Sequence, residues 1–510
     1  MTEHDRPPGG TGQVRLRPYQ EQAVAELRAL VLRGARRILI AAATGSGKTS
    51  IAGYLICRAV AKGHRSLFIA HRRELINQAY GRLVQMGLSE DEVGVIMARD
   101  PRRRPGARVQ VASIDTLRNR PKPRADIVFT DEAHRALARS YRELAAHYPD
   151  AIHIGLTATP YRADGRGLGD MYDELVPVSS PRELIREGFL VEPRVFTVPR
   201  EALPDLSAVR VRRGDYHESE LAEAVDRKHL VGNIVEHWHR HAQGLRTVAF
   251  AVSVRHSEHI AEQFRQAGVP AEHLDGTTSI EERDAILGRL ERGETQLVAS
   301  VGVLCEGWDQ PSVKCAILAR PTKSTGLYLQ QAGRILRPWG DLQAVILDHA
   351  GCALAHGLPQ DDRRFTVDPA KKRRKGAAAV GPPLKTCEEC YAVVHAATRL
   401  CPECGFVFQP PREVPQEASG DLVEVSATGL REQRAAWEKL CAVAARRGFK
   451  PGWANHRYRE RFGAPPPTSF ALEAKRPQRG TEVSLALRAA VRGDGGRLSW
   501  DALADLAGEQ

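Results

Sequence analysis

Short apolar runs, each bounded by polar residues, recur through the first third of the chain. The run at 37–41 leads into a glycine-rich segment, and apolar positions at helical spacing follow over 51–60. That order predicts a buried strand, a loop and a helix. An amphipathic stretch at 19–32 precedes them. Further apolar runs predict more strands, at 66–70, 109–112, 125–130 and 153–156.

The second half of the chain contains further elements of the same kind. Predicted strands lie at 247–252 and 297–301, with a predicted helix at 255–267. The connecting stretch at 193–216 has no clear periodicity, so no element is predicted there. After the second series, 361–383 changes character to a basic, Gly- and Pro-bearing linker that contains five consecutive cations at 371–375. That basic block suits either phosphate contact or simple solvation.

The glycine-rich segment after the first strand has the composition of a phosphate-binding loop. Backbone turns at its glycines let N–H groups and the helix N-terminus face a polyphosphate. The lysine would reach the β and γ phosphates, and the threonine hydroxyl would bind Mg²⁺. Ala42 stands where the first glycine of this pattern is usual. The alternative is a plain Gly/Ser turn. The predicted nucleotide-binding residues are Thr44, Gly45, Ser46, Gly47, Lys48 and Thr49.

An acidic pair follows the strand predicted at 125–130. Asp131 can hold Mg²⁺, and Glu132 can orient and deprotonate the water that attacks the γ-phosphate. The alternative is an acidic first turn of a helix, which the helix dipole favours by itself. The phosphate loop upstream makes the catalytic interpretation the stronger one.

Polar residues near the other predicted elements suggest base and backbone contacts. Gln20 can pair with both a donor and an acceptor on an adenine edge, and Arg17 can stack or pair there, although Pro18 also suits the first turn of a helix. Arg72 and Thr116 follow predicted strands, where basic and hydroxyl side chains suit a nucleic-acid backbone. The arginines at 102–104 are interpreted as solvated loop charge or as a contact.

Composition narrows the function further. The chain has 510 residues, too many for one core, and a length prior suggests about three or four units. No apolar run is long enough to cross a bilayer, and the polar N-terminus lacks a signal-peptide core, so a cytoplasmic protein without a membrane partner is predicted. A formal charge of +12 points to a polyanion, with nucleic acid the first candidate. The alternative is a general arginine bias.

Four of the nine cysteines form two CxxC pairs. Two thiolate pairs at this spacing suit tetrahedral Zn²⁺, and so short a segment could not bury a core without a metal. A structural zinc site is therefore predicted, with a redox pair or an iron–sulfur site as the alternatives. Gly405 would permit the turn of the second pair, and Phe406 and Phe408 would form a small core. The predicted zinc ligands are Cys387, Cys390, Cys401 and Cys404.

The C-terminal part has one clear amphipathic stretch, at 431–447, with Trp437 on its apolar side. The aromatic and basic residues that follow at 448–459 suit either nucleic-acid contact or the core of a small helical module, and the core is slightly favoured. Weaker helical patterns lie at 484–491 and 500–506.

Taken together, the motifs resemble the superfamily 2 DEAD/DEAH-box helicases. In the first half these are the phosphate loop, Asp-Glu-Ala-His at 131–134 and Thr-Ala-Thr-Pro at 157–160. In the second half, 273–283, 304–309 and 328–337 match further motifs of the family, the last as QxxGRxxR. The resemblance covers roughly two thirds of the chain. It implies an α/β fold of two tandem RecA-like domains with parallel sheets, and ATP bound between them.

The resemblance also implies roles for individual residues. Arg334 and Arg337 would face the phosphates across the cleft, with Arg337 as the arginine finger and Gln330 near the γ-phosphate. Gly307 and Asp309 would link the nucleotide to the second domain. The residues that the resemblance places in coupling or nucleic-acid contact are His134, Thr157, Thr159, Arg72, Thr116 and Thr277.

Within the superfamily, residues 157–168 look most like the DNA-directed branch, which includes type III restriction motor subunits, transcription-repair translocases and phage helicases. The resemblance therefore implies an ATP-dependent DNA helicase or translocase. An RNA helicase, a restriction-type motor subunit and an ATP-switched clamp are the alternatives. No PD…ExK nuclease pattern stands out. A protein partner could bind through the zinc ribbon or the C-terminal module.

The predicted organisation has seven parts. They are a flexible tail at 1–12, motor domain 1 at 13–180, a connecting segment with motor domain 2 at 181–368, a basic linker at 369–385, a zinc ribbon at 386–408, a linker at 409–429 and a basic helical C-terminal module at 430–510.

Overall fold

The computed structural model describes residues 15–160, 167–199, 203–212, 214–225, 228–363, 366–367, 382–408, 427–449, 452–467 and 470. The chain divides into two compact units, residues 1–410 and 411–510, each of which is described by itself. Some predictions lie outside the described residues, namely the tail at 1–12, the basic block at 371–375 and the helical patterns at 484–491 and 500–506.

The first domain is built on a sheet of seven parallel strands. In chain order these strands are β1 (Arg37–Ala41), β2 (Ser66–Ala70), β3 (Val93–Ile96), β4 (Val109–Ser113), β5 (Ile127–Asp131), β6 (Ile152–Thr157) and β7 (Glu174–Pro177). Across the sheet the order is β3-β4-β2-β5-β6-β1-β7. Because β1, β6 and β5 are neighbours, the loops after their carboxyl ends meet at one edge.

Helices cover both faces of this sheet, which explains why its strands are apolar throughout. Ile38 and Ile40 pack into one core cluster, whereas Leu39 points to another on the opposite face. The helices are α1 (Pro18–Leu32), α2 (Lys48–Ala61), α3 (Arg73–Gln85), α4 (Ile114–Arg118) and α5 (Arg139–His147).

The second domain contains a six-stranded parallel sheet. The strands from here on are β8 (Pro193–Thr197), β9 (Val211–Arg212), β10 (Asp215–Tyr216), β11 (Thr247–Phe250), β12 (Ala271–Leu274), β13 (Leu297–Ser300), β14 (Cys315–Leu318) and β15 (Ala344–Asp348). Strands β9 and β10 form a separate antiparallel hairpin, and the others follow the order β12-β13-β11-β14-β15-β8. The predicted α/β class with two parallel sheets is confirmed.

The helices of the second domain surround this sheet. They are α6 (Pro181–Arg186), α7 (Glu218–Val225), α8 (Lys228–His241), α9 (Val254–Gln266), α10 (Ile280–Arg292), α11 (Thr325–Ala332) and α12 (Cys352–His356). A 3₁₀ turn, Gly333–Ile335, continues α11 without a break. One apolar cluster contains side chains of both domains, including Ile40 of the first and Ile346 of the second.

The stretch at 193–216, for which no element was predicted, contains β8 and the β9–β10 hairpin. Strand β8 lies at the edge of the sheet and begins with Pro193, which lacks the N–H that an inner strand would use. The sequence of β8 therefore lacks the continuous apolar run that is typical of the inner strands. Apolar runs also did not predict β3, β7, β12, β14 or β15.

The cysteine-containing segment packs against the edge of β8 that has no neighbouring strand within the six-stranded sheet. Its two strands are β16 (Leu384–Thr386) and β17 (Val393–His395), an antiparallel pair. The backbone N–H of Thr197 donates to the carbonyl of Tyr391 at 3.0 Å, and Arg194 of β8 forms an ion pair with Glu403. The segment thus covers a sheet edge that would otherwise present unpaired backbone groups.

The second unit has two described helices, α13 (Ala427–Arg447) and α14 (Trp453–Phe462). Trp437 and Tyr458 are buried against each other, with ring centroids 5.8 Å apart. Tyr458 therefore belongs to the core of a small helical module, as the sequence slightly favoured, whereas Phe449 is exposed. No helix among the described residues has the length and apolar character needed to cross a membrane.

Candidate nucleotide site between the two α/β domains

The loop after β1 adopts the backbone that its glycines predict. Gly45 and Gly47 have φ of 87° and 81°, in the left-handed region, and α2 begins directly afterwards at Lys48. A Cβ on Gly47 would lie 2.5 Å from Nε2 of Gln20, so a larger residue would displace that amide and would also be strained by the left-handed φ. The loop therefore presents its N–H groups and the α2 N-terminus as a phosphate cradle.

The acidic pair ends β5 and faces that cradle. Nζ of Lys48 lies 3.3 Å from Oε1 of Glu132, and both side chains are nearly buried. Glu132 has φ of 48° and ψ of 52°, an uncommon conformation for a residue other than glycine. Strain of this kind persists where the surrounding structure enforces it, often at a functional site. The backbone N–H of Glu132 also donates to Oδ1 of Asp131 at 3.0 Å.

The pKa values of the two carboxyl groups are shifted in opposite directions. Burial, together with the charge of Glu132, raises the pKa of Asp131 above its ordinary value. Burial alone would also raise the pKa of Glu132, but the charge of Lys48 and the contact with His134 outweigh it and lower that pKa. Glu132 is therefore ionised at neutral pH, as a general base must be. A neighbouring cation would favour the charged form of Asp131.

The second domain contributes two of the predicted residues to this site. Nε2 of Gln330, on α11, donates to Oε2 of Glu132 at 3.2 Å. Arg337 forms an ion pair with Asp309, and a Cβ on Gly45 would lie 3.6 Å from Cγ and Nε of Arg337. The Arg337 side chain thus lies against the phosphate loop of the other domain.

Arg334, the second arginine that was predicted to face the phosphates, instead contacts a loop of its own domain. Its buried guanidinium donates to the carbonyl oxygens of Cys305 and Trp308, in the loop between β13 and β14. Burial lowers the pKa of Arg334. Its hydrogen bonds therefore join the 3₁₀ turn after α11 to the Cys305–Trp308 loop within the second domain.

The two domains approach each other closely beside these residues. A Cβ on Gly333 would lie 2.5 Å from Cβ of Thr44, and one on Gly326 would lie 3.0 Å from Oγ1 of Thr159. Thr157 is buried at the end of β6, and its hydroxyl donates to the carbonyl of Thr159 at 2.9 Å. Gly333 and Gly326 therefore permit close contact between α11 and the loops of the first domain.

The residues predicted to read adenine are held within the protein. Nε2 of Gln20 donates to the carbonyl of Ser46 at 2.9 Å, and its Oε1 accepts from the backbone N–H of Arg17 at 3.0 Å. The guanidinium of Arg17 lies over the ring of Phe189, 4.7 Å from its centroid. Both ends of the Gln20 amide are thus engaged in supporting the loop. Phe189, which no motif indicated, is the aromatic partner of Arg17.

A buried carboxylate of the second domain contacts three residues of the first domain. Glu306, of which 4% is exposed, contacts His71 Nε2 at 2.7 Å, Arg72 Nε at 3.4 Å and Arg135 at 3.3 Å. Burial alone would raise its pKa, but the hydrogen bond with His71 and the two arginine charges lower it. We call these four residues the Glu306 cluster. Arg72, predicted for nucleic-acid contact, is therefore an interdomain residue in this conformation.

The remaining predicted residues lie at loop ends. Thr116 is half-buried on α4, and exposed Thr277 donates its hydroxyl to Oδ1 of Asp275 at 2.8 Å. Gly307 has φ of 74°, and its carbonyl accepts from Nε2 of Gln78 at 2.8 Å. His134 Nδ1 lies 3.3 Å from Oε2 of Glu132. The roles of these residues stay predictions.

The four cysteines of the β16–β17 segment come together. Their Sγ atoms all lie within 4.8 Å of one another, and two of the distances are 3.6 Å (Cys387 to Cys404) and 3.7 Å (Cys390 to Cys401). A tetrahedron with Zn–S bonds of about 2.3 Å has S–S edges of about 3.8 Å. The cluster is thus compatible with zinc. Thr49 and Asp131 are the residues that would hold Mg²⁺.

Two family models match the chain. The type III restriction enzyme res subunit matches residues 13–162, and the helicase conserved C-terminal domain matches 227–338. A 51.5 kDa protein of a Lactococcus phage (isolate 7-9) is 30% identical over 400 residues, which are 77% of this chain and 84% of the phage protein.

Two longer relatives are covered only in part. The candidate ATP-dependent helicase IRC3 of Saccharomyces cerevisiae is 30% identical over 342 residues, which are 63% of this chain and 49% of the yeast protein. The type I restriction enzyme EcoKI endonuclease subunit of Escherichia coli is 25% identical over 398 residues, which are 64% of this chain and 33% of that subunit. The chain therefore spans half or less of the length of these two proteins.

Solved structures show the same fold. A fragment of an HsdR subunit of a type I restriction enzyme from Vibrio vulnificus has a TM-score of 0.52 at 22% identity, covering 67% of this chain and 66% of that one. The restriction-modification enzyme LlaBIII bound to DNA has a TM-score of 0.50 at 18% identity, covering 65% and 27%. Restriction-enzyme subunits are among the relatives of the chain. The chain belongs to the superfamily 2 helicases, which are nucleic-acid-dependent ATPases.

Proposed function

We propose that the chain is an ATP-driven DNA helicase or translocase that hydrolyses ATP between its two α/β domains. The observation that carries the proposal is the contact of Gln330 with Glu132 across the cleft, beside the Lys48 ion pair. Glu132, the proposed general base, therefore contacts residues of both domains. Its protonation and position can thus respond to closure of the cleft.

In this proposal the phosphates of ATP occupy the loop between Gly45 and Thr49, and Lys48 exchanges its contact with Glu132 for one with the β and γ phosphates. The released Glu132 carboxylate accepts a proton from the attacking water. Thr49 and Asp131 would hold Mg²⁺, which would supply neutralisation of phosphate charge. Arg337 leaves Asp309 to stabilise charge on the transferring phosphoryl group, and Arg334 keeps α11 attached to the Cys305–Trp308 loop.

Coupling to nucleic acid would use the contacts between the domains. ATP favours closure and hydrolysis relaxes it, so that each cycle shifts one domain relative to the other. Thr159 lies beside Gly326 of α11 and is hydrogen-bonded to Thr157, so that both residues can respond to closure. Arg72 and Thr116, at the carboxyl ends of strands, are proposed to reach the sugar-phosphate backbone, with Thr277 on the second domain.

DNA is proposed as the track because the res-subunit model covers the first domain and restriction-enzyme subunits are among the relatives. An RNA helicase is the second candidate, since such motors hold mainly the backbone. A restriction-type motor subunit is a third, and a nuclease or methyltransferase that co-purifies would favour it. A cytoplasmic location stays a prediction, because a Schizosaccharomyces pombe relative is named as mitochondrial.

The zinc ribbon is proposed to be structural, because it covers the edge of β8 and all four ligands come from the protein. Because part of the ribbon packs on β8, only the rest of its surface is available to a protein or nucleic-acid partner. The helical module of the second unit is the alternative location for such a contact.

The experiment that tests the proposal is steady-state ATP turnover without nucleic acid and with single-stranded DNA, duplex DNA or RNA. Glu132→Gln provides the blank, and modest salt preserves phosphate contacts. Strong stimulation by one DNA form, absent in Glu132→Gln, is the expected result. Stimulation by RNA alone would reject the DNA track, and no turnover above the blank would favour an ATP-switched clamp.

A further inference from the structure

A lysine without exposed surface lies directly before β14. Lys314 is fully buried, with 0% of the residue exposed. Its Nζ donates to the carbonyl oxygens of Ile335 at 3.0 Å and of Arg337 at 2.5 Å. Both partners are neutral carbonyls, and burial lowers the pKa of Lys314 to about 8. The family motifs described above do not include this residue.

The two carbonyls belong to the segment that carries the residues facing ATP. Helix α11 and its 3₁₀ turn end at Ile335, and the chain then passes through Arg337. Carbonyl groups at the end of a helix carry partial negative charge, which an ammonium group stabilises. Lys314 therefore binds the C-terminal end of the segment on which Gln330 and Arg337 are placed.

The carbonyl between these two is also held. Leu336 accepts from the backbone N–H of Val191 at 2.8 Å, so three consecutive carbonyls have fixed donors. The Leu190 side chain beside Val191 would lie 3.0 Å from a Cβ on Gly45, next to the Arg337 side chain. The main chain of Arg337 is thus fixed where its side chain meets the phosphate loop.

Stability alone does not account for a charge in this place. Desolvating an ammonium group costs free energy, and neither of the two carbonyl partners of Lys314 carries a full negative charge that would compensate for it. The buried charge is better explained by the main-chain geometry that its hydrogen bonds define. A displacement of about 1 Å at a catalytic group can reduce turnover about a hundredfold.

We propose that Lys314 is a positioning residue for ATP hydrolysis, which fixes the main chain of Arg337 so that its guanidinium faces the phosphate loop. The inference rests on the proposed role of Arg337 in the reaction. It assigns no contact between Lys314 and ATP itself.

The test is a double-mutant cycle on the full chain, with Lys314→Met, Arg337→Ala and the double variant, measured by DNA-stimulated kcat and by KM for ATP. Lys314→Met should lower kcat about tenfold to a hundredfold and change KM for ATP less than about threefold. The double variant should be no slower than Arg337→Ala. Val313→Ala, a buried neighbour of Lys314, is the control for lost packing and should retain kcat.

Two outcomes would overturn the inference. They are a kcat for Lys314→Met equal to that of Val313→Ala, or a double variant that is slower by the product of the two single effects. An Arg337→Ala variant with unchanged kcat would instead reject the role proposed for Arg337. If Lys314→Met does not fold, Lys314→Gln keeps one donor group, and its kcat is expected to lie between those of the wild type and Arg337→Ala.

Discussion

Gln330 and Glu132 meet across the cleft between the two domains, with Nε2 of the amide 3.2 Å from Oε2 of the carboxylate. The other oxygen of the same carboxylate lies 3.3 Å from Nζ of Lys48. One side chain is thus shared between the phosphate loop and α11. This arrangement makes the proposed base sensitive to the position of the second domain.

Replacing Gln330 tests that sensitivity. We expect Gln330→Ala to lower DNA-stimulated kcat about tenfold to a hundredfold, because Glu132 loses its contact with the second domain. KM for ATP should change little, since the phosphate loop is intact. The control is Gln266→Ala, an exposed glutamine at the end of α9. A loss seen only in KM would place Gln330 in ATP binding and not in the hydrolytic step.

Replacing Gln20 separates base recognition from loop support. Because its amide already pairs with Ser46 and Arg17, we expect Gln20→Ala to raise KM about tenfold for ATP and for GTP alike. Gln22→Ala, an exposed neighbour on the same helix, serves as the control. A rise confined to ATP would show that Gln20 reads the adenine edge, as the sequence suggested.

The Glu306 cluster is expected to hold the domains together before ATP binds. Glu306→Gln keeps the side-chain shape but leaves the guanidinium groups of Arg72 and Arg135 without their carboxylate. We therefore expect a larger separation between fluorophores placed on the two domains, measured by energy transfer without nucleotide.

The matched control for that experiment is Glu262→Gln, which removes a surface ion pair with Arg265 on α9. Exposed pairs contribute little, so this variant should leave the energy transfer unchanged. Equal transfer in Glu306→Gln and the wild type would mean that the cluster does not hold the cleft closed.

Zinc is expected to support the second domain through β8. We predict one zinc ion per chain, and a lower unfolding temperature when Cys401→Ser removes a ligand, because the ribbon covers the β8 edge. Metal analysis measures the zinc content, and thermal unfolding measures the change in unfolding temperature. Cys441→Ser, a thiol outside the cluster, should change neither. A Cys401→Ser protein with full zinc content and unchanged unfolding would contradict the prediction.

Sequence patterns predicted the parts of the fold that are local. Most inner strands, although not β14 and β15, were predicted from apolar runs. The phosphate loop follows one of these strands, β1, and the acidic pair lies at the end of another, β5. The cysteine pairs were likewise recognisable from their spacing. For the phosphate loop, the acidic pair and each CxxC pair, the information lies within a few consecutive residues.

Contacts between distant segments could not be predicted in this way. The direction of Arg334 depends on carbonyls at Cys305 and Trp308, and backbone carbonyls leave no trace in residue identity. The pairing of β8 with the ribbon joins segments nearly two hundred residues apart in sequence, Thr197 with Tyr391. The partners of Glu306 come from two separate segments, one after β2 and one after β5, and each alone resembles a solvated surface group.

The most direct test of ATP-driven movement is strand displacement on one DNA that carries a triplex and a forked duplex, each with its own fluorophore. We predict that the wild type with ATP releases at least one of the two labelled strands, and that Glu132→Gln binds the same DNA and releases neither. ATP turnover stimulated by this DNA without release of either strand would contradict a motor and would favour an ATP-switched clamp.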